Sequence, residues 1–148
     1  MAFSEKDIIS INEIFEAVKQ PGLGHDEKMG ELSKVRRILN RHLELEAPYD
    51  SDTMHISYEV LTMLAENYYG MEEFALSDEY YTLALYFVSL IGETSESRVG
   101  VEEVFKQAVR ARTHEQKDDC EDLIKYVAST IEQKAAKKLI KETRKEKK

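Results

Sequence analysis

The spacing of the apolar residues is the feature that most restricts the fold of this chain. Apolar residues recur every three or four positions, which is the period of an α-helix with one buried face. Glycine and proline separate these stretches, most clearly at residues 21–24 and at Gly92. No alternation of apolar and polar residues is long enough to predict a strand, so we expect an all-α fold. The pattern predicts about six helices, over residues 4–19, 26–46, 52–69, 71–91, 95–111 and from about 115 onward.

Composition narrows the class of protein further. The chain has 148 residues, enough for one domain with a substantial core. It lacks a run of 18 apolar residues, so no membrane span is predicted, and its first residues lack the pattern of a secretory signal. Its one cysteine, Cys120, cannot form an internal disulfide. We therefore expect a cytoplasmic protein.

Charge divides the chain into two unequal regions. Residues 134–148 contain eight basic and two acidic residues, whereas the other 133 contain 13 basic and 27 acidic residues. We predict a helical domain over 1–133 and a basic helical extension or tail over 134–148. The extension has three interpretations: a helix end that frays into solvent, a segment that binds nucleic acid or an anionic membrane, and a segment that folds back on the acidic surface. Nucleic acid is the less favoured partner, because the acidic domain would repel it.

Eight positions within residues 61–84 follow the pattern of a helical repeat. The first helix carries a large residue, a leucine, a small residue and a tyrosine; the second carries an aromatic, a small residue, an aromatic and an alanine. These residues are Leu61, Leu64, Ala65, Tyr68, Phe74, Ser77, Tyr81 and Ala84. The segment resembles the tetratricopeptide repeat, a helix–turn–helix unit. Small residues let two helices approach closely, and large residues fill the space beside them.

Weaker copies of the pattern precede and follow this segment. Gly30, Leu32 and Val35 match the second repeat helix of the earlier copy, and Ala108 and Cys120 match positions of the later one. The copies are offset by about 42 residues, longer than the standard period of about 34. The resemblance implies three antiparallel helix pairs stacked in a right-handed α-solenoid. A six-helix bundle is the alternative architecture.

The resemblance also implies a binding surface. In tetratricopeptide-repeat proteins, the first helices of successive pairs line a concave groove that binds a peptide or a partner helix. The matching positions here are Glu59, Thr62, Glu66 and Tyr69 in the central pair, and Glu102, Phe105, Lys106 and Val109 in the third pair. Because Glu59 and Glu66 would repel a C-terminal carboxylate, we expect the partner to offer a basic or apolar segment. An ordinary solvated helix face is the alternative interpretation of these two glutamates.

The expected function is therefore a non-catalytic protein-interaction module, with an adaptor, chaperone or regulatory role. Self-association is a further expectation, because an uncapped end of a helical stack tends to pair. Seven of the 13 aromatic residues lie within residues 68–87, where they serve either the core or an interface. The alternative function is association with nucleic acid or a membrane through residues 134–148.

Motifs for catalysis and for cofactor binding are missing from the sequence. The four histidines form no HExxH pair, and neither GxxxxGK[ST] nor GxGxxG occurs. We predict no enzymatic activity, no cofactor and no metal site. His42 is interpreted as a packed residue, and Cys120 as an inert core thiol. His114, Asp118 and Cys120 lie close in sequence, but their predicted placement is poor for metal binding.

Overall fold

The structure, a computed structural model, describes the backbone of residues 5–43, 51–92 and 98–146, and the side chains in these ranges apart from residues 8, 39, 42, 43, 51–53, 98 and 99. All regular secondary structure in these ranges is helical, so the all-α prediction is confirmed there. The His42 side chain lies outside the described residues. The helices are α1 (Glu5–Val18), α2 (His25–Leu43), α3 (Ser51–Gly70), α4 (Phe74–Ile91), α5 (Arg98–His114), α6 (Glu121–Tyr126) and α7 (Gln133–Glu146).

Most helices pack mainly against their neighbours in sequence. The principal contacts join α1 to α2, α2 to α3, α3 to α4 and α4 to α5, and the α3–α4 contact is the most extensive. At the C-terminal end, α7 packs on α5 and α6, and α6 also contacts α4. The largest fully buried side chains come from α1 through α6, so one apolar core runs through the described helices.

The α3–α4 contact depends on small residues at the positions expected from the repeat pattern. Ala65 and Ala84 have no exposed surface, and the Ser77 hydroxyl donates a hydrogen bond of 2.9 Å to the backbone carbonyl of Ala65. Leu64 and Tyr81 are almost completely buried beside them. Burial of one such apolar side chain stabilises a fold by about 1.5–3 kcal/mol. The predicted close approach of these two helices is confirmed.

The turn after α3 differs from the sequence-based expectation. Gly70 marks a turn in the sequence, yet it is the last residue of α3, and the left-handed residue of the turn is Glu72, with φ of 62°. The Glu73 amide donates to the Tyr68 carbonyl at 2.9 Å, a bond typical of this helix ending. Gly70 instead lies in close approach to His25, since a Cβ atom there would lie 2.5 Å from Cε1 of His25 and the ring would have to move.

The last predicted helix is two helices, so the expected number of six is wrong for the described residues. Helix α5 ends at His114, and Gln116 just after it has a left-handed backbone conformation, with φ of 60°. Residues 115–120 form a non-helical connection where a helix start was predicted. After α6, the amides of Thr130 and Ile131 both donate to the Val127 carbonyl, at 2.8 and 2.7 Å. Val127 and Ile131 are both buried, because this compact turn keeps them in the core.

The described part of the basic extension belongs to α7 and packs against the domain. Ala136, Ile140 and Thr143 are buried, and they lie on one face of the helix. Ala135, which the apolar pattern placed in the core, is exposed. Residues 134–146 therefore form a packed helix rather than a frayed end.

A buried arginine joins three helices. The Arg112 guanidinium on α5 makes five hydrogen bonds: to Asp78 Oδ1 (2.7 Å) and Thr82 Oγ1 (2.9 Å) on α4, to the Asp119 carbonyl (2.9 Å), and to Asp122 Oδ1 (2.6 Å) and Oδ2 (2.9 Å) on α6. The Arg112 and Asp78 side chains are only 3% and 7% exposed. Burial alone would raise the pKa of Asp78, but the hydrogen bond and charge of Arg112 lower it below its ordinary value.

Candidate functional site

The four residues predicted on the central first helix lie along one face of α3. Glu59, Thr62, Glu66 and Tyr69 are spaced by three, four and three residues, which places them in one row on a helix. Glu59 and Glu66 are exposed, whereas Thr62 and Tyr69 are half-buried. The row covers the second half of α3, past cavities formed with other helices.

Two adjoining cavities lie along the first part of this row. One has a volume of about 270 Å³ and the other of about 350 Å³, and they share Lys19 and Met63. We call the two together the α1–α3 groove. The first is lined by Phe15, Lys19, Tyr58, Glu59, Thr62 and Met63, and the second by Val18, Lys19, His25, Lys28, Leu32, Met63, Glu66 and Asn67.

The α1–α3 groove carries charges of both signs. Glu59 and Glu66 come from α3, whereas Lys19 follows α1 and Lys28 belongs to α2. Burial raises the pKa of the Glu66 carboxyl above its ordinary value, and the nearby charge of Lys28 partly opposes this shift. The sequence indicated the two glutamates but not the two lysines, which reach the groove only because α1 and α2 pack beside α3.

Two hydroxyl groups at the first cavity have no hydrogen-bond partner. The Tyr58 hydroxyl and Thr62 Oγ1 are buried, and neither is paired among the described residues. Burial, followed by the charges of Glu59 and Glu66, raises the pKa of Tyr58 to about 12. A buried unpaired polar group costs about 1–3 kcal/mol of stability. Both residues line the cavity, but their oxygens have almost no accessible surface, so an occupant would contact other atoms of these side chains.

Tyr69 belongs to a different cavity from the other three residues of the row. A hollow of about 320 Å³ between α3, α5 and α7 is lined by Tyr69, Arg110, Thr113, His114, Thr143 and Glu146. The Tyr69 hydroxyl lies 3.1 Å from Nε2 of His114, and the His114 ring stacks on Phe74 with 3.9 Å between ring centres. Partial burial raises the pKa of Tyr69. These contacts fix the position of Tyr69 within the fold.

The residues predicted on α5 divide between the core and the surface. Phe105 and Val109 have no exposed surface, so the expectation that they contact a partner is corrected. They are buried because α5 packs against α4 on one side and α7 on another. Glu102 and Lys106 lie on the same side of α5, three residues from Phe105 and Val109 respectively, and are half-buried; neither lines any of the cavities described above.

Of the cavities described, the largest lies between α6 and α7. Its volume is about 490 Å³, with Cys120, Ile124 and Ile140 as its apolar part. Arg144 donates to the Asp118 backbone carbonyl and its Nη2 lies 3.8 Å from Cys120 Sγ. The charged side chains around it are Lys137, Lys141, Arg144 and Lys145, with Asp118 and Glu121 opposing them. Sequence reasoning identified the basic residues but not the cavity, which exists because α7 folds back on α6.

The histidine, cysteine and acidic side chains are the described residues most relevant to metal binding or catalysis. No group of three or more His, Cys, Asp or Glu side chains among them is arranged to hold a metal ion. Burial raises the pKa of the Cys120 thiol, which disfavours the reactive thiolate. His25 Nδ1 lies 2.7 Å from Oδ1 of Asn67, so one ring nitrogen has a structural partner.

Comparison of the chain with protein-family models, with curated proteins and with solved structures finds no match in any of the three. Function must therefore be argued from the geometry of the described residues. Within those residues, none of the helices has the length and apolar character needed to cross a membrane.

Proposed function

We propose that this chain is a non-catalytic, cytoplasmic protein-binding module whose α1–α3 groove binds a peptide or helical segment of a partner. The observation that carries the proposal is the joining of two cavities along the row formed by Glu59, Thr62 and Glu66. Apolar side chains of α1 and α3 form part of the groove wall, and unpaired hydroxyls lie beside it. The groove therefore offers apolar contact together with charged side chains.

The chemistry of the groove defines the segment that it would bind. Phe15 and Met63 favour an apolar anchor, and the carboxylates of Glu59 and Glu66 favour a basic side chain near it. Lys19 and Lys28 add positive charge, so a segment with only basic residues fits less well than one of mixed charge. The Tyr58 hydroxyl and Thr62 Oγ1 are buried, so the polar groups available to a bound segment are the charged side chains of the groove.

A tetratricopeptide-like stack is the architecture that we propose for this module. Its support is the packing of successive helices on one another, together with the small-residue contact between Ser77 and Ala65. In a closed six-helix bundle, the first helix would pack against the last, whereas the principal contacts of α1 are with α2. Small-angle scattering tests this choice, because an open stack gives a longer maximum dimension than a closed bundle of equal mass.

Peptide selection with charge-reversed variants tests the proposed function. Wild-type protein is used to select ligands from a random peptide library, and the selected peptides are titrated against Glu59→Lys/Glu66→Lys. The control is Glu132→Lys/Glu142→Lys, which changes the charge equally at exposed positions outside the groove. We expect peptides with apolar and basic residues, at least tenfold weaker binding to the groove variant, and unchanged binding to the control. Equal binding to all three proteins would contradict the proposal.

A second candidate function, binding of a polyanion, rests on α7. Lys137, Lys141 and Lys145 are exposed and lie four residues apart, so they share one side of the helix beside the largest cavity. The apolar face of α7 is already packed against the domain, so electrostatic attraction would have to supply the affinity. Binding of single- or double-stranded nucleic acid that weakens steeply with salt, and is lost in Lys137→Glu/Lys141→Glu, would favour this function over the groove.

A further inference from the structure

Helix α4 exposes apolar side chains although three helices already pack against it. It contacts α3, α5 and α6, which bury eight of its residues. Its outer side nevertheless carries four apolar residues that are each 36–39% exposed: Leu76, Leu83, Tyr86 and Leu90. We call these four residues the α4 stripe. Adjacent exposed apolar side chains on one side of a helix are typical of an interaction surface, and the described structure covers part of the stripe, where Tyr126 of α6 contacts Tyr86.

The spacing of the α4 stripe is that of a helix-pairing seam. Leu76, Leu83 and Leu90 are seven residues apart, and Tyr86 follows Leu83 by three. The leucines occupy a positions of a heptad and Tyr86 a d position, whereas the other d position holds Glu79. Apolar a and d residues are the pattern by which two helices pack side by side with a small crossing angle. A stripe that served only the core of its own chain would be buried by neighbouring helices instead.

A cavity at the centre of the stripe has the shape that such pairing requires. Its volume is about 380 Å³, and its α4 residues are Glu79, Thr82, Leu83 and Tyr86, with Tyr126 of α6 as a side wall. The four α4 positions correspond to i, i+3, i+4 and i+7. In paired helices, four residues at this spacing form the hole that receives one side chain of the facing helix.

The arrangement of the stripe matches a second copy of the same chain. The leucines are symmetric about Leu83, so in an antiparallel pair Leu83 faces Leu83 of the other copy. Leu76 then faces Leu90, and Leu90 faces Leu76, as the self-complementary interface of a two-fold dimer requires. The one charged residue in the central cavity, Glu79, does not face itself, because the two copies would lie about 12 Å apart along the helix axes.

We propose that the α4 stripe is the interface of an antiparallel, two-fold dimer of this chain. This surface is distinct from the α1–α3 groove, so the proposal does not depend on the function assigned to that groove. Four side chains little more than one-third exposed give each copy less area than the roughly 800 Å² of a standard stable interface. The dimer is therefore weak, and it forms as the protein concentration rises.

Sedimentation equilibrium over a hundredfold range of concentration tests the dimer. We expect the mass of the wild-type chain to rise from 17.1 kDa towards twice that value. Leu83→Glu places two carboxylates on the two-fold axis and should weaken self-association at least tenfold. The control is Ile9→Glu, which makes the same kind of change at an exposed apolar residue of α1 and should leave self-association unchanged. Circular dichroism checks that each variant is folded.

Disulfide cross-linking tests the orientation of the two helices. In a Cys120→Ala background, Leu83→Cys should cross-link to itself on mild oxidation. Leu76→Cys should not, since its own copy would lie about 21 Å away, but it should cross-link when mixed with Leu90→Cys. A chain that stays monomeric at every concentration would overturn the proposal, as would cross-linking of Leu76→Cys to itself, which indicates a parallel pair.

Discussion

Replacement of Arg112 by methionine should destabilise the fold strongly, because it leaves a buried carboxylate without its main partner. Asp78 is 7% exposed, and in Arg112→Met its remaining contacts are the Thr82 hydroxyl at 3.0 Å, the Lys117 ammonium at 3.4 Å and the Glu115 side chain. Removing one partner of a buried ion pair costs about 3–5 kcal/mol. Since Lys117 still compensates part of the charge, we expect the free energy of unfolding to fall by about 3 kcal/mol, equivalent to a fall in Tm of about 6–12 °C.

Replacing Asp78 together with Arg112 should recover most of the lost free energy of unfolding. In Asp78→Leu/Arg112→Met, no buried carboxylate remains, and Asp122 is 45% exposed, so water can solvate it. Buried ion pairs replaced by apolar residues of similar size are often neutral in stability. We therefore expect the double variant to lie within about 1 kcal/mol of the wild type, well above Arg112→Met.

Urea unfolding followed by circular dichroism measures these differences, and Arg110 supplies the matched control. Arg110 lies on the same helix, but its partners Glu103 and Glu146 are 60% and 54% exposed. Such surface pairs contribute about 0–1 kcal/mol, so Arg110→Met should change the free energy of unfolding little. The reasoning is refuted if Arg112→Met costs no more than Arg110→Met, or if the double variant is as unstable as the single one.

Three further predictions concern pH, the left-handed turn and the groove. The pKa of Asp78 and of Asp122 is lower in the folded state than its ordinary value. The ionised carboxylates therefore stabilise the fold above the unfolded pKa, and this contribution is lost as pH falls through the folded pKa. When the free energy of unfolding is measured against pH, Arg112→Met should lose less stability in acid than the wild type. Glu72→Gly relieves a left-handed conformation and should raise the free energy of unfolding by about 1 kcal/mol, whereas Glu13→Gly, inside α1, should lower it by about as much. Thr62→Val removes an unpaired buried hydroxyl and should stabilise the fold by about 1 kcal/mol in urea without weakening binding of the selected peptides, since Thr62 Oγ1 is not accessible from the groove; a loss of stability would mean that Thr62 Oγ1 is paired in solution.

The central helix pair was predictable because its packing depends on local spacing. Close approach of two helices requires small side chains at fixed positions, and Ala65, Ser77 and Ala84 supply them. The break between α6 and α7 was not predictable in this way. Val127 and Ile131 keep the four-residue spacing of a helix, although the backbone between them forms a compact turn. The spacing of apolar residues indicates which residues are buried. It does not distinguish a continuous helix from a compact turn, because both bury this pair.

Some residues of the candidate site were predictable from local spacing, whereas others are brought there by tertiary packing. Spacing along α3 places Glu59, Thr62 and Glu66 in one row. Lys19 and Lys28 enter the groove only through the packing of other helices, which no local motif records. Phe105 was predicted to contact a partner but is buried. The repeat pattern assumes that the first helix of each pair has a face open to the groove, whereas α5 packs against both α4 and α7.

Packing between sequence neighbours has a consequence for how the molecule opens. An element held mainly by the next one in the chain can detach without disturbing elements further along, so local stability should vary from helix to helix. In native-state hydrogen exchange, amides of α4 should exchange most slowly, because α4 contacts three other helices, and those of α1 most rapidly. Since Phe15 and Val18 of α1 form part of the groove wall, a ligand held there should slow exchange throughout α1.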